Sequence, residues 1–244
     1  MKNINGENTP HEERWNERTL LLLGEDRIAK FANAHVLVAG LGGVGAFASE
    51  FLCRAGIGKL SICDFDTVRS SNRNRQLPAL TNEEGRLKTD VMGERLKRIN
   101  PGIELRVLPM RFNEENAFEI LSGKYDYVVD AIDSLSPKVF LLHDCVKMGF
   151  KVVSSMGAGE KCDPSMVKTV DIEESYKCPL ARLVRKRLHK LGVRGGVAVV
   201  FSPEDNFSGR KKLKAGEPVG SISYMPALFG IHCAAKVLKD IGGI

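Results

Sequence analysis

A glycine-rich turn between a buried strand and a helix constrains the fold more than any other feature of the sequence. The run HVLVAG (35–40) is continuously apolar and rich in β-branched residues, which is typical of a parallel strand covered on both faces. Gly40, Gly42, Gly43 and Gly45 follow it, and the next segment has the apolar spacing of a helix. This order of strand, turn and helix is the context in which such glycines hold a phosphate at a helix N-terminus.

Further strand and helix patterns alternate after this unit. The segments KLSICDFD, IELRVLPM, YDYVVDAI and KVVSSM are predicted to be four more strands. A capping-box pattern at Thr81–Glu84 predicts a helix that ends near Asn100, and Ser136 followed by Pro137 resembles the start of another helix. The alternation predicts an α/β fold, with a Rossmann-like, doubly wound and mostly parallel sheet.

The pattern changes after Gly159, where a C-terminal α/β extension is predicted. VKTVDI and GVAVVFS are predicted to be strands flanking a basic helix near 179–191, and ALFGIHCAAKVLKDI is predicted to be a closing helix. The segment 203–217 is predicted to be a charged, glycine-containing loop. We therefore expect a single domain over 1–244, with a Rossmann-like core at about 30–160 and the extension at about 161–244.

Composition indicates a protein that folds without disulfide bonds or a structural metal. The 244 residues are 43% hydrophobic and 27% charged, and this length is enough to bury a core without disulfides. The six cysteines are scattered without a C-x-x-C pair, which argues against a zinc cage and a disulfide framework. The sequence starts with no apolar leader, and its apolar runs are too short for a membrane span. We expect a cytoplasmic location, no membrane partner and no metal held by the protein alone.

Polar residues after the second strand indicate which ligand the glycine turn holds. Asp64 ends that strand, where its carboxylate can accept hydrogen bonds from ribose hydroxyls, and Asp66 lies two residues further on. These features establish a nucleotide site, and NAD fits them as well as ATP does. The loop that follows places Arg73 and Arg75 beside several amides, and Lys88 lies on the next helix.

Several cations in one site favour a triphosphate over NAD. In a nucleotidyl transfer, charge develops on the phosphorus oxygens and on the leaving pyrophosphate as they separate, so the reaction needs several cations to stabilise it. Asp133, predicted at the end of the fourth strand, lies at the same carboxyl edge of the sheet and is suited to orienting Mg²⁺ or holding the ribose. The alternative reading makes Arg73 and Arg75 solvated loop charges and Asp133 a helix cap.

These residues together resemble the ubiquitin-activating-type adenylyltransferases, the ThiF/MoeB/HesA superfamily. The resemblance lies in LGGVG, DFDTV, the S-N-x-x-R-Q loop, Lys88 and D-A-I-D-S, and covers most of residues 14–160. The whole chain is most similar to the tRNA threonylcarbamoyladenosine dehydratase branch, through NRNRQLPAL, Ala158-Gly159, PLARLVRKRL, VVFSPE and GSISYMPALFG. The resemblance implies a ThiF-type ATP-binding domain whose C-terminal extension faces tRNA.

In that branch the protein uses ATP and Mg²⁺ to activate the carboxylate of threonylcarbamoyladenosine at position 37 of tRNA. Ring closure then removes AMP, with net loss of water. Carried over residue by residue, the ATP positions are Gly43, Asp64, Ser71, Asn72, Arg75, Lys88 and Asp133. Arg18 matches an arginine that reaches the phosphates of a neighbouring subunit, which implies a homodimer. We place Arg18, Arg75, Lys88 and Asp133 in the catalytic set.

A basic segment lies outside this ATP-binding core. Residues 181–196 contain six basic residues and no acid, which equals the whole net charge of +6. Together with a second cluster at 210–214, they favour a polyphosphate partner such as tRNA over a merely solvated face. The predicted nucleic-acid contacts are Arg182, Arg185, Lys186, Arg187, Lys190 and Arg194.

Three other functions stay open on the sequence. The first is adenylation of the C-terminus of a ubiquitin-like sulfur carrier, which the lack of a C-x-x-C pair makes less favoured. The others are an NAD-dependent oxidoreductase and a tRNA-binding module without activity. Relatives that use a sulfur-relay partner have a cysteine before the last helix, where this chain reads EPVGSISYMP. We therefore do not expect that partnership.

Overall fold

One seven-stranded sheet runs through residues 14–207 and 219–244, the part of the chain that the computed structural model describes. The strands are β1 (His35–Ala39), β2 (Lys59–Cys63), β3 (Glu104–Leu108), β4 (Tyr127–Asp130), β5 (Lys151–Ser155), β6 (Lys168–Asp171) and β7 (Ala198–Phe201). They lie in the order β3-β2-β1-β4-β5-β7-β6, and every pair is parallel except β6 with β7. The predicted Rossmann-like, mostly parallel sheet is confirmed.

Helices cover both faces of the sheet. In the described ranges they are α1 (Glu17–Leu23), α2 (Glu25–Asn33), α3 (Gly45–Arg54), α4 (Lys88–Ile99), α5 (Ala117–Leu121), α6 (Leu135–Lys147), α7 (Pro179–Lys190) and α8 (Tyr224–Gly242). Residues of α2, α3, α4 and α8 form the apolar core on one face, and residues of α5, α6 and α7 form a second core on the other. Among the helices that the structure describes, none is long and apolar enough to cross a bilayer.

The direction in which successive strands are added to the sheet reverses between the parallel neighbours β1 and β4. β1 is followed in space by β2 and β3 on one side, whereas β4 is followed by β5, β7 and β6 on the other. Ala39 at the end of β1 pairs with Asp130 at the end of β4. Loops that leave these two strands diverge, which opens a crevice at the carboxyl edge of the sheet where open α/β folds bind ligands.

The capping-box prediction for α4 is wrong. Thr81–Glu83 form a separate 3₁₀ turn, and α4 begins at Lys88. The cause lies in the backbone between them, because Gly85 has a φ of +88° and its N–H donates to the carbonyl of Val68. The carbonyl of Arg86 in turn accepts from the N–H of Val68. This pairing holds the chain extended until Lys88.

The strand and helix around Asp133 also have different bounds from those predicted. β4 ends at Asp130, so Asp133 lies in the turn three residues further on. α6 begins at Leu135 with Ser134 as its N-cap, and Pro137 is its third residue. A proline is accepted there because the first turn of a helix has no internal partner for its N–H groups.

The residues after Gly159 continue the same sheet. β7 pairs with β5, β6 covers the outer edge of β7, and the basic helix α7 connects these two strands. Both predicted strands, the basic helix and the closing helix are present. Of the predicted loop 203–217, residues 208–217 lie outside the described residues.

Candidate nucleotide-binding site

A cavity of about 790 Å³ opens at the carboxyl edge of the sheet, over the crevice between β1 and β4. Its walls come from the ends of β1, β2, β4 and β5, from the loop after β3, and from residues just before and within α8. Of the residues predicted to bind the nucleotide, ten line it: Gly40, Gly42, Gly43, Asp64, Asp66, Ser71, Asn72, Arg75, Lys88 and Asp133. The volume lies within the range of about 300–1,000 Å³ that is usual for ligand pockets.

The glycine turn is shaped by two positions that admit no side chain. Gly40 has a φ of +92°, and a Cβ there would lie 2.7 Å from the carbonyl oxygen of Ala131. Gly45 does not line the cavity, and a Cβ there would lie 1.8 Å from the carbonyl oxygen of Gly40. These contacts bring the start of α3 against the crevice, so the helix N-terminus faces the cavity.

Asp64 connects the glycine turn to the end of β2. Its side chain is buried, and its Oδ2 accepts a hydrogen bond of 2.6 Å from the backbone N–H of Leu41. Its Oδ1 accepts one of 2.8 Å from the backbone N–H of Asp66. Each carboxylate oxygen has a further lone pair, so Asp64 can hold the turn and still accept from a ribose hydroxyl.

Lys88 is a nearly buried cation on the wall of the cavity. Its side chain is 6% exposed, and its Nζ lies 3.0 Å from Oδ2 of Asp66. Its backbone N–H donates to the carbonyl of Asp66, which fixes the first turn of α4 against the loop after β2. An ammonium has three donors, so two are left for oxygens of a ligand.

The loop of residues 69–76 after β2, here called the arginine loop, presents one of its two predicted cations to the cavity. Nη1 of Arg75 donates to the carbonyl of Ser71 at 3.0 Å and to Oδ1 of Asn74 at 2.8 Å. Asn72 is buried and accepts from the backbone N–H of Arg69, which closes a short 3₁₀ turn. Arg73 is exposed and does not line the cavity. The loop therefore orients Arg75 through Nη1. The two N–H groups of Nη2 are not used in these bonds and can donate to a ligand.

Asp133 lies at the open side of the cavity. Its carboxylate is exposed, and its Oδ1 accepts a hydrogen bond of 3.1 Å from the hydroxyl of Ser134. No group of three or more His, Cys, Asp or Glu side chains suited to a metal occurs in residues 14–207 and 219–244. A divalent cation bound by one carboxylate must take its other ligands from water and from a substrate.

A buried ion pair under the turn of Asp133 was not predicted from the sequence. Nζ of Lys138 lies 2.5 Å from Oδ2 of Asp130, and both side chains are fully buried. Lys138 also donates to Oγ of Ser154 and to the carbonyl of Ser155, and Oδ1 of Asp130 accepts from the backbone N–H of Ile132. A lysine within the mostly apolar pattern of α6 was the available signal, because a buried lysine requires a buried partner.

The loop after β3 adds an aromatic and cationic wall that was also missed. The guanidinium of Arg111 lies 4.1 Å from the ring centre of Phe65, and both residues line the cavity. They are far apart in sequence, and they meet because β2 and β3 are parallel neighbours whose carboxyl ends share one edge. A flat apolar surface beside a cation suits a purine ring.

Four of the cysteines are unsuited to nucleophilic catalysis. Burial raises the pKa of the Cys53 thiol to about 11 and the pKa values of the Cys63 and Cys233 thiols to about 12. Burial also raises the pKa of Cys145. The reactive form of cysteine is the thiolate, so these four thiols are inert near neutral pH.

Comparison with known proteins agrees with this geometry. The model of the ThiF family matches residues 16–244. The chain belongs to the ThiF family. It is 36% identical over 240 residues to the tRNA threonylcarbamoyladenosine dehydratase of Bacillus subtilis, covering 92% of this chain and 94% of that protein.

The same family likeness extends to solved structures and to a different activity class. The crystal structure of Escherichia coli tRNA N6-threonylcarbamoyladenosine dehydratase in complex with ATP has a TM-score of 0.86 and 35% identity, with 93% of each chain covered. The adenylyltransferase and sulfurtransferase UBA4 of Saccharomyces cerevisiae is 34% identical over 149 residues, which are 61% of this chain and 34% of that protein.

In this ThiF-family chain the basic helix α7 begins at the cavity and extends away from it. Leu180 in its first turn lines the cavity, and Arg182, Lys186 and Lys190 are exposed along one side of it. Arg185 is different, because its Nη1 donates to the carbonyls of Ile172 and Ser175 and to the hydroxyl of Ser175.

The last two predicted nucleic-acid contacts are also exposed. Arg187 donates to the hydroxyl of Ser136 at 2.9 Å, which ties α7 to α6, and Arg194 lies beyond the end of the helix. The second basic cluster, residues 210–214, lies outside the described residues. Four of these five exposed cations thus lie on a helix that starts at the cavity, and Arg194 lies after its end.

Arg18 does not lie at the cavity of its own ThiF-family chain. It is exposed on α1, where Leu21 and Leu22 are 73% and 80% exposed. Two large apolar side chains in water on a short helix form a patch suited to burial against another protein surface.

Proposed function

We propose that this ThiF-family protein is an ATP-dependent tRNA threonylcarbamoyladenosine dehydratase. The observation that carries the proposal is the cavity between the ends of β1 and β4, which has cations suited to a triphosphate. The chain is also similar, over more than nine-tenths of its length, to dehydratases of this name. The cavity offers a glycine turn at a helix N-terminus, a buried lysine, an oriented arginine and an exposed carboxylate.

The reaction has two steps. An oxygen of the threonylcarbamoyl carboxylate attacks the α-phosphorus of ATP, and pyrophosphate leaves with the electron pair of the broken bond. The carbamoyl group then attacks the adenylated carbonyl carbon and loses a proton to solvent, the ring closes, and AMP leaves with the carboxylate oxygen. One water is thereby removed from the nucleoside at the expense of ATP. Positioning and charge stabilisation account for most of the catalysis in such transfers.

Each proposed residue has one task. Gly40, Gly42 and Gly43 admit the phosphates, with Gly45 seating α3 behind them, and Asp64 binds the ribose. Lys88 and Arg75 stabilise the charge that develops on the phosphates and on the leaving pyrophosphate, while Asp66 holds Lys88 in place. Ser71 and Asn72 build the turn that presents Arg75.

Mg²⁺ is proposed to arrive with ATP. Asp133 is the exposed carboxylate suited to one of its ligand positions, since Mg²⁺ is usually held by one or two carboxylates together with phosphates and water. When bound, the ion would neutralise phosphate charge. Asp133 itself lies on a turn that is bonded to the buried pair, because the backbone N–H of Ile132 donates to Asp130, which pairs with Lys138.

A homodimer is proposed to complete the site. Arg18 lies on an exposed helix beside the apolar side chains of Leu21 and Leu22, so a partner subunit that covers this patch also contacts the guanidinium of Arg18. Arg18 would then contribute a cation to the phosphates bound by the partner subunit. This role rests on the family resemblance.

tRNA is proposed to lie along α7. Arg182, Lys186 and Lys190 are exposed along one side of the helix that starts at the cavity, Arg187 is exposed elsewhere on the same helix, and Arg194 is exposed just beyond its end. Arg185 is bonded to the backbone at 172–175, so we propose that it supports the helix, with its contact to RNA secondary. Backbone phosphates are the expected contacts, because RNA shape is read mainly in this way.

A second candidate is adenylation of the C-terminus of a ubiquitin-like sulfur carrier. It is favoured by the partial likeness to UBA4, which covers 61% of the chain. The lack of any C-x-x-C pair in the sequence counts against it. Membership of the ThiF family argues against the NAD-dependent oxidoreductase, and the complete set of nucleotide residues argues against a module without activity.

Nucleoside mass spectrometry tests the proposal. Freshly prepared tRNA that carries threonylcarbamoyladenosine is incubated with the protein and Mg²⁺, with and without ATP. The proposal requires a loss of one water from that nucleoside only when ATP is present. An unchanged nucleoside, with pyrophosphate exchange that depends on a small ubiquitin-like protein, would establish the second candidate instead.

A further inference from the structure

The cavity has two sides that differ in chemistry. One side, towards β2 and the arginine loop, contains Asp64, Arg75 and Lys88 and is polar and charged. The other side lies at the end of β5, beyond β4, and is bounded by residues 156–159, Leu180 and Val219. Asp64, Arg75 and Lys88 occupy the first side, Asp133 follows β4 between the two sides, and the second side has no assigned ligand.

The geometry of nucleotidyl transfer indicates which ligand the second side receives. Attacking and leaving oxygens lie roughly in line at the phosphorus. The cations that stabilise the leaving pyrophosphate, Lys88 and Arg75, lie towards β2 and the arginine loop. The attacking carboxylate therefore approaches from the opposite direction, which is the β5 side.

The surface on the β5 side suits a flat, largely apolar group. Met156 and Ala158 are almost fully buried in the wall, and Leu180 and Val219 face the same space. Enzymes that act on a nucleobase turn it out of its stack and hold it between apolar side chains, and bases in single-stranded loops are accessible for this.

Gly157 leaves the space open. Its φ is outside the left-handed region, and a Cβ built on it would have no heavy atom within 4 Å. The backbone therefore does not require glycine at this position. Gly159 provides the contrast, because a Cβ there would lie 2.4 Å from Cγ1 of Val219. Gly159 packs closely against Val219, whereas the missing side chain of Gly157 only enlarges the cavity.

We propose that the β5 side of the cavity receives the modified adenine base of the tRNA, and that Gly157 lacks a side chain so that this base can enter. The proposal rests on the dehydratase function proposed above. It assigns the acceptor side to residues 156–159, Leu180 and Val219, and it makes Gly157 a determinant of substrate access.

Gly157→Val tests the proposal, with Gly42→Val as the contrasting variant. Gly42 is on the nucleotide side, and its Cβ would also have room, with the nearest atom, Nε2 of Gln76, at 3.8 Å. Three quantities are measured: the melting temperature, the affinity for a fluorescent AMP analogue, and the rate of tRNA conversion by nucleoside mass spectrometry. Gly157→Ala serves as a smaller step at the same position.

Gly157→Val is expected to keep the wild-type melting temperature and to bind the AMP analogue with an affinity within about twofold of the wild type. Its rate of tRNA conversion should fall by about 100-fold, since a misplaced reactant costs about that much. Gly157→Ala should lie between it and the wild type, and Gly42→Val should lose AMP affinity. Wild-type conversion by Gly157→Val, or loss of its AMP affinity, would overturn the assignment. If the wild type itself does not convert tRNA, the proposed function fails instead.

Discussion

Asp133 is the residue whose loss should separate catalysis from folding. Its carboxylate is exposed, and its one described hydrogen bond is accepted from a neighbouring serine. Asp133→Ala is expected to reduce tRNA conversion to background while leaving the melting temperature unchanged. Asp26→Ala, an exposed carboxylate on α2, is the matched control and should retain activity. Normal conversion by Asp133→Ala would remove this residue from the mechanism.

Lys138 is the residue whose loss should affect folding most. Removing its ammonium leaves the carboxylate of Asp130 buried without a charge partner, and breaking such a pair costs about 3–5 kcal/mol. Lys138→Met is therefore expected to lower the free energy of unfolding by about that amount in chemical denaturation.

A double variant separates the lost ion pair from lost packing. Lys138→Met combined with Asp130→Leu removes both charges, and replacing a buried pair by apolar residues is often nearly neutral. The double variant should recover most of the lost stability. If it is no more stable than Lys138→Met alone, the ion pair is not the source of the effect.

The sequence was enough to predict which side chains line the cavity of the candidate nucleotide site, but not the contacts that support them. Asp64 and Lys88 follow motifs whose spacing is local, so pattern and resemblance were enough. The contacts of Lys138 and Arg111 depend on which strands are neighbours in the sheet. That order is set by the packing of helices far apart in the chain, which no short pattern encodes.

At the level of elements, α3 and α4 are joined by an acid-sensitive contact. Glu50 on α3 pairs with Arg95 on α4 and with Arg54, which lies 2.8 Å away on its own helix. Burial alone would raise the pKa of Glu50, but hydrogen bonds from the two arginines outweigh it and lower the pKa below its ordinary value of 4.5. A lowered folded-state pKa gives stability that is present above the unfolded value and is lost as the pH falls.

Glu50→Gln is expected to be less stable than the wild type at neutral pH. The difference should shrink as the pH falls below the ordinary glutamate value of 4.5, because the wild type loses the ionised form of Glu50 only as the pH passes through its lowered folded-state pKa. Free energies of unfolding from urea denaturation at several pH values provide the measurement. Glu119→Gln, an exposed change on α5, is the control. A difference that stays constant with pH would show that ionisation of Glu50 is unimportant.

The helix α7 is expected to carry much of the salt dependence of tRNA binding. Arg182→Ala, Lys186→Ala and Lys190→Ala together should weaken binding and reduce the slope of log affinity against log salt by about 2–3, since each neutralised phosphate contributes about 0.7–0.9. The control triple variant is Lys30→Ala, Lys124→Ala and Lys147→Ala, which removes the same charge from exposed sites elsewhere. Equal slopes for the two triple variants would move the RNA surface away from α7.

Element boundaries were the least predictable part of the fold. The capping-box pattern at 81–84 is real as a local preference, and a 3₁₀ turn forms there. The longer helix starts later because Gly85 and Arg86 pair with Val68, a contact between segments that the local pattern does not include. The alternation of strands and helices along the chain and the basic helix, by contrast, followed from patterns that are several residues long.

At the scale of the whole molecule, two inactive variants should restore activity to each other if Arg18 acts on the partner's site. A mixed dimer of Arg18→Ala and Asp133→Ala contains one site that has both residues and one that has neither. Random mixing of a two-fold symmetric dimer then gives about a quarter of the wild-type activity. The measurement is tRNA conversion after the two proteins are mixed and allowed to exchange subunits.

The same mixture distinguishes the alternatives. Mixing Asp133→Ala with the double variant that lacks both residues is the control and should stay inactive. If Arg18 acts within its own chain, or not at all, mixing the two single variants adds nothing to their separate activities. The oligomeric state measured by light scattering accompanies both experiments.

The contact between the glycine turn and α8 also sets when during its synthesis the protein can first bind nucleotide. A Cβ on Gly43 would lie 2.8 Å from Cβ of Pro226, and Gly40 packs against Ala131. The turn emerges from the ribosome early, but its two walls are made about 90 and 180 residues later, and such distant pairings form late. We therefore expect a nascent chain to lack the complete nucleotide cavity until residue 226 has emerged, so that ATP stabilises the fold only late in translation.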